Sequence, residues 1–138
     1  MSARTKARKR AVDAIFAADL RKVSPEELLE LTRVQVSDRQ NQDEIFGYAS
    51  EIVRGIIENH EEVDELLETY AEGWSIERMP NVDRAILRVG IWEILYSDTP
   101  DAVVVNEAVE LAKEYSTEES GGFINGLLSR VAGTRKAL

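Results

Sequence analysis

The chain has 138 residues, no cysteine and a formal net charge of −9, and 43% of its residues are hydrophobic while 31% are charged. A chain of this length and composition can form one folded domain that buries roughly two-thirds of its surface, which excludes a disordered protein. The lack of cysteine excludes disulfides and thiolate metal sites, and no stretch approaches the roughly 20 apolar residues of a membrane span, so we expect a cytoplasmic protein with no membrane contact.

Apolar residues recur at three- and four-residue intervals along nearly the whole chain, which predicts helices. The first half is expected to hold four of them, at about residues 4–21, from residue 24 onward, at about 42–59, and over 63–70 with an end at Gly73. Ser24 and Pro25 have the pattern of an N-cap followed by a proline in the first turn. The expected core contacts of that second helix are Leu28, Leu29 and Leu31.

The second half is expected to hold three helices, and the first of these, residues 82–96, is so apolar that we predict it at the centre of the core. The β-branched run 103–105 suggests a short strand, but it leads into a helical pattern over 106–115, so we predict helix there. A last helix is predicted near 122–131, with frayed residues over 133–138. The expected fold is all-α, with about seven helices in two packed helical subdomains of one domain, about 1–72 and 73–138.

No motif in the sequence indicates catalysis or cofactor binding. The chain has neither a glycine-rich phosphate loop nor a nucleophile-elbow pattern, and its single histidine, His60, stands beside glutamates at an expected surface helix start. The glutamates at 107, 110 and 114 and the acidic run 61–68 have the spacing of solvated helix faces. We therefore expect no catalytic residue, no cofactor, no metal site and no enzymatic activity.

Charge is strongly segregated along the chain, because the first ten residues carry +5 and the remaining 128 carry −14. The cations of this first segment are Arg4, Lys6, Arg8, Lys9 and Arg10. Cations at a helix N-terminus oppose the helix dipole, so their placement suggests a compensating polyanion, and single-stranded RNA held by its phosphates fits one short basic helix better than duplex DNA does. A solubilising tail is the alternative.

Two phenylalanines are candidates for stacking on a base of such an RNA. Phe16 lies on the first predicted helix, and Phe123 lies in the last one. Aromatic rings commonly hold the bases of single-stranded RNA, but phenylalanines at helical spacing are also common core residues. Both interpretations stay open at this point.

Four segments of the C-terminal half closely resemble successive sequence blocks of the NusB family, in the same order and with the same spacing. They are VDRAILR at 82–88, EIL at 93–95, VNEAVELAK at 105–113 and FINGLL at 123–128. The basic N-terminus and the residues that follow it, up to residue 20, also resemble the start of that family. The resemblance thus covers nearly the whole chain, except for an unspecific segment at about 23–43.

The resemblance implies an all-helical fold and a role in transcription antitermination. Members of the NusB family pair with NusE, a ribosomal small-subunit protein, and with it bind the boxA element of nascent RNA in ribosomal RNA operons, at the transcription elongation complex. The resemblance assigns RNA backbone contact to Arg4, Lys6, Arg8, Lys9 and Arg10, the RNA surface to Phe123 and Asn125, and the NusE-facing surface to Asp83 and Glu119. Phe16 stands where the family usually has tyrosine, and Glu119 where aspartate is common.

The main alternative function is a helical protein–protein interaction module that forms a homodimer and does not touch RNA. Helical surfaces that pair with a second copy look like those that pair with another protein, so the sequence does not separate the two. A weaker alternative is the RNA-targeting region that precedes some ribosomal RNA methyltransferases, but this chain has no methyltransferase part. If about five phosphates were held on single-stranded RNA, log affinity would fall with log salt at a slope of about −3.5.

Overall fold

The computed structural model describes residues 2–71 and 74–137, with only the backbone of 135–137. Its helices are α1 Ala3–Arg21, α2 Pro25–Gln35, α3 Gln42–Glu58, α4 His60–Tyr70, α5 Asn81–Tyr96, α6 Asp101–Tyr115 and α7 Glu118–Ala137. A 3-10 turn, Ile76–Arg78, precedes α5, and the described residues contain no β-strand. The prediction of an all-α fold with seven helices is confirmed. Gly73, the expected end of α4 and boundary between the two halves, lies outside the described residues.

Helix α5 lies at the centre of the core, as its apolar sequence predicts. It packs against α1, α3, α4, α6 and α7, and ten of its 16 residues are buried. Helix α1 packs mainly against α2, α3 and α5, whereas α7 packs mainly against α4, α5 and α6. The first and last helices therefore share α5 as their common neighbour. None of the helices within the described ranges has the length and apolarity needed to cross a membrane.

One local prediction, in α6, is confirmed, and another, in α2, is wrong. The run 103–105 lies within α6, which begins at Asp101, so helix rather than strand is confirmed there. The prediction of Leu31 as a core residue is wrong, because its side chain is 60% exposed while Leu28 and Leu29 are buried. At about 100° per residue, Leu31 lies about 110° around α2 from the midpoint of those two leucines, outside the buried stripe.

Helix α7 begins earlier than predicted. Thr117 Oγ1 accepts a hydrogen bond from the Ser120 N–H at 3.0 Å, so the helix starts at Glu118 and includes Gly121 and Gly122. Gly121 is buried against α6, and this packing offsets the low helix propensity of the two glycines. The helix also continues to Ala137, past the point at which fraying was predicted.

Helices α3 and α5 approach each other closely where Gly55 faces Trp92. A Cβ atom added at Gly55 would lie 1.9 Å from Nε1 of Trp92 and 2.4 Å from its Cε2. The indole ring is itself buried in the core and fills this space. On the same helix, Gly47 is exposed, and a Cβ there would meet nothing within 4 Å.

Substituting each of these glycines by alanine is expected to change stability in opposite directions. Gly47→Ala should raise the free energy of unfolding by about 0.5–1 kcal/mol, because alanine has the higher helix propensity. Gly55→Ala should lower it by about 1–3 kcal/mol, because the indole of Trp92 must shift within a packed core. Urea unfolding followed by circular dichroism measures both. Equal changes in the two variants would contradict the close approach of α3 and α5.

Candidate nucleic-acid interface

The exposed cations of α1 lie beside the link between α2 and α3. Lys6 is exposed, and no hydrogen bond or ion pair ties its ammonium group to any other described residue. Arg10 is partly exposed and holds its guanidinium over the ring of Phe46, with Cζ 5.6 Å from the ring centroid. Neither side chain forms an ion pair with a described acid, although the charge of Arg10 acts on the nearby Asp13 carboxyl, so both residues contribute positive charge to this surface.

A groove of about 620 Å³ runs between α1 and the α2–α3 link. Its lining is Lys6, Lys9, Arg10 and Asp13 of α1, Arg39, Gln40 and Asn41 of the link, Gln42 and Ile45 of α3, and Tyr115 of α6. Four of these side chains are cationic and one is acidic, so this cationic groove is a positive site on a chain whose net charge is −9. Sequence reasoning missed Arg39, because residues 37–43 are uniformly polar and only the fold brings them to α1.

The single acid of the cationic groove, Asp13, is held next to Tyr115. Desolvation by the surrounding protein atoms raises the pKa of the Asp13 carboxyl, against the opposing effect of the charge on Arg10. Burial raises the pKa of Tyr115 to about 12, and the negative charge of Asp13 adds to that shift. Asp13 is therefore easier to protonate than an ordinary aspartate.

Two further cations predicted to contact RNA have intramolecular partners near the surface. The ammonium of Lys9 lies 2.8 Å from Oε2 of Glu114, whose side chain is half-exposed. The Arg4 guanidinium lies over the ring of Tyr48, 4.0 Å from its centroid, and Nη1 donates to Oγ1 of Thr99 at 3.4 Å. An exposed ion pair contributes little free energy, so Lys9 can exchange Glu114 for a phosphate at small cost.

Arg8 is not part of the exposed surface, contrary to its predicted contact with RNA. Its side chain is buried at 3% exposure, and Nε and Nη2 donate to the two carboxylate oxygens of Glu93 at 2.7 and 2.9 Å. The reason is helical phase. Arg8 is three, four and seven residues before Ala11, Val12 and Ile15, and all of these lie on the inner side of α1.

The Arg8–Glu93 pair is the centre of a buried polar network that joins four helices. Tyr48 of α3 donates its hydroxyl to Oε2 of Glu93 at 2.8 Å, and Glu107 of α6 accepts from Nη1 of Arg8 at 3.3 Å. Burial alone would lower the pKa of Arg8, but the hydrogen bonds and charge of Glu93 outweigh it and raise the pKa. The guanidinium therefore stays charged in the core and fixes the position of α1.

The aromatic candidates lie in two separate places. Phe16 is half-buried on α1 and packs against the core. Phe123 is half-buried on α7, and its ring centroid lies 6.2 Å from that of Trp74, whose side chain is 51% exposed. Asn125 is exposed on the same helix, and its Oδ1 accepts from Oγ of Ser129 at 3.1 Å. Neither Phe123 nor Asn125 lines the cationic groove.

The two residues expected to face NusE differ in accessibility. Glu119 is exposed in the first turn of α7. Asp83 is only 3% exposed, contrary to its predicted place on a partner surface, and its Oδ2 accepts from Oγ of Ser120 at 2.7 Å. Asp83 lies in the first turn of α5, so its carboxylate links the start of α5 to the start of α7 and holds the turn that presents Glu119.

The described part of the chain contains no group of three or more histidine, cysteine, aspartate or glutamate side chains placed to hold a metal ion. His60 is exposed at the start of α4, and its Nδ1 lies 3.2 Å from the backbone oxygen of Ile57. The glutamates near it, which include Glu62 and Glu65, line an open acidic groove on that side of the molecule. The positive and negative grooves therefore occupy different elements of the fold.

Comparison with known proteins gives consistent matches over most of the chain. A model of the NusB family matches residues 5–133. The transcription antitermination protein NusB of Leifsonia xyli subsp. xyli is 52% identical over 133 residues, which cover 96% of this chain and 92% of that protein.

Two solved structures are similar to the fold described above. A NusB structure from T. maritima has a TM-score of 0.85 and 35% sequence identity, and the match covers 94% of this chain and 90% of that one. A crystal structure of the antitermination factors NusB and NusE in complex with double-stranded RNA contains a chain with a TM-score of 0.85 and 30% identity, matched over 97% of this chain and 98% of that one.

Proposed function

Since the chain belongs to the NusB family, we propose that it is a transcription antitermination factor that binds, together with NusE, the boxA RNA of ribosomal RNA operons. The observation that carries this proposal is the cationic groove, which collects four cations from two separate elements on an otherwise acidic protein. Screening at physiological salt acts over about 8 Å, so a phosphate in the groove responds to these cations and little to distant carboxylates.

The positions of Lys6 and Arg10 favour a phosphate backbone over a small anion. They lie four residues apart on α1, about 6 Å along the helix, which is close to the spacing of successive phosphates in an extended strand. Cations in the first turns of a helix also oppose its dipole, and bound phosphates offset that cost. Arg39 extends the same positive strip across the groove.

The acidic remainder of the chain suits a basic protein partner, and we assign NusE to it. Opposite charge on two partners speeds their encounter and fixes their orientation. Glu119 is the exposed residue of the two that the family resemblance assigns to this surface, and Asp83 supports it from the interior. We place the action of the protein on nascent RNA at the elongation complex in the cytoplasm, as a binding adaptor rather than an enzyme. A homodimeric module without RNA contact would leave the cationic groove without a role.

Co-purification of the chain with NusE and a boxA RNA, with each component omitted in turn, tests the proposal. We expect the three components to elute together from a sizing column, and the chain to retain RNA more weakly when NusE is absent. Co-elution of the chain with NusE alone, and with no RNA under any condition, would contradict RNA binding. Deletion of the first ten residues is not a suitable control, because it removes the buried Arg8 as well as the exposed cations.

A further inference from the structure

We propose that the α2–α3 link, residues 36–41, is the wall of the cationic groove that selects RNA bases. In this assignment, Arg39 holds a phosphate, and the side-chain amides of Gln40 and Asn41 form hydrogen bonds to the edges of unpaired bases. The inference rests on the proposed RNA-binding function, and it adds a source of sequence preference to a site whose other wall carries cations.

The two walls of the groove differ in chemistry. Lys6, Lys9 and Arg10 supply only hydrogen-bond donors, and such groups on phosphates position a strand without reading its sequence. An amide supplies both donors and an acceptor, which is what an unpaired base edge requires for discrimination. The link brings Gln40 and Asn41 to the groove opposite that wall.

The backbone of the link is held in place while its side chains remain accessible. Val36 is buried in the core, and its carbonyl accepts from the N–H of Arg39 at 3.0 Å. The Gln40 carbonyl accepts from Nε2 of Gln42 at 2.9 Å. The side chains of Arg39, Gln40 and Asn41 are exposed, and no hydrogen bond or ion pair ties them to other described residues. A fixed backbone with free amides loses little entropy when a base binds.

Asn41 has an unusual conformation for its position. It precedes α3 with φ 61° and ψ 18°, in the left-handed region, and its side chain does not cap the helix. Asparagine at an N-cap normally accepts from the first turn, so here the amide is released from that local role. Asparagine adopts this region more readily than most other non-glycine residues, so the conformation is little strained and leaves the amide accessible. The backbone thus supports the assignment of the Asn41 side chain to a ligand.

The test compares affinities for three 12-nucleotide probes, oligo(rA), oligo(rC) and oligo(rU), by fluorescence anisotropy of the full chain. The wild-type protein is expected to bind its best and worst probes with affinities at least about five-fold apart, the size of one base-edge contact. In Gln40→Ala/Asn41→Gly, that ratio should fall below about two-fold while binding persists, because the cations remain. Glycine at 41 keeps the left-handed backbone without strain and removes only the amide.

Matched variants distinguish this inference from the general charge of the groove. Asn106→Ala removes an exposed amide from α6, outside the groove, and should leave the ratio unchanged. Arg39→Ala should weaken binding to all three probes by the same factor, and affinities unchanged by it would overturn the phosphate role of Arg39.

The remaining outcomes separate the inference from the proposed function. A ratio that survives in Gln40→Ala/Asn41→Gly, or a wild-type protein that binds all three probes equally, overturns base selection by the link but leaves RNA binding intact. A wild-type protein that binds none of the probes, and no boxA RNA even when NusE is present, overturns both.

Discussion

Reversing the charges of Lys6 and Arg10 together, in Lys6→Glu/Arg10→Glu, is expected to lower RNA affinity at least about 100-fold at 0.1 M salt, or about 2.7 kcal/mol. The variant loses two phosphate contacts and places two like charges against the RNA backbone, each of which is costly. Filter binding or anisotropy with a boxA RNA measures the loss.

The same variant should remain folded, so that lost binding can be separated from lost structure. No described intramolecular anion pairs with Lys6, and Arg10 contacts only the ring of Phe46 among the core residues. Lys6→Glu suits the helix dipole at the first turn of α1, whereas Arg10→Glu places an acid one turn before Asp13, so we expect a melting temperature close to that of the wild-type protein. Arg21→Glu reverses a charge at the other end of α1 and is the matched control, with less than about a three-fold effect on affinity expected there. Equal losses in the two variants would assign RNA binding to overall charge rather than to the groove.

Glu93→Gln is expected to lower the free energy of unfolding by about 3–5 kcal/mol, because it removes the carboxylate that binds the buried Arg8 guanidinium at two atoms and leaves only the 3.3 Å contact with Glu107. Arg8→Met should cost a similar amount, because Glu93 is then the unpaired buried charge. The double variant Arg8→Met/Glu93→Leu should be more stable than either single one, because apolar side chains of similar size replace both charges. Denaturant unfolding of the three variants measures these values.

An exposed ion pair on the next residue of the same helix is the control for this prediction. Lys9→Met removes the partner of Glu114 and should cost less than about 1 kcal/mol. The RNA affinity of Arg8→Met is a second test. At a temperature at which this variant is still folded, its RNA affinity and the salt dependence of that affinity should match those of the wild-type protein. A double variant as unstable as the sum of the single ones, or a large loss of RNA affinity in folded Arg8→Met, would contradict the buried role of Arg8.

Helix positions were predictable because apolar periodicity and caps act over neighbouring residues. The N-cap at Ser24 and the central place of α5 follow from patterns within one or two turns. The start of α7 was mispredicted because Gly121 and Gly122 have low helix propensity. The cap at Thr117 is a local signal for this start, but the packing of Gly121 against α6 is not contained in any local pattern.

The candidate site was predictable in its charge but not in its geometry. Composition shows that five cations cluster at the N-terminus, but only the fold shows that Arg8 turns inward, since its partner Glu93 lies 85 residues away in sequence. The helical spacing of Arg8 from Ala11, Val12 and Ile15 indicated that it lies on the buried face of α1. Fully buried arginines are rare, however, and this favoured an exposed side chain. Tertiary packing alone also decides that Arg39 lines the cationic groove and that Asp83 is buried, so neither position was predictable from the sequence.

The salt dependence of RNA affinity tests most directly whether the cationic groove is where RNA binds. Phosphate contacts by three or four cations predict a slope of log affinity against log salt between about −2 and −3 on single-stranded RNA. These cations are Lys6, Arg10 and Arg39, with or without Lys9. Lys6→Glu/Arg10→Glu should bring the slope of any residual binding toward −1 or above. A wild-type slope near zero, or an identical slope in that variant, would contradict the account.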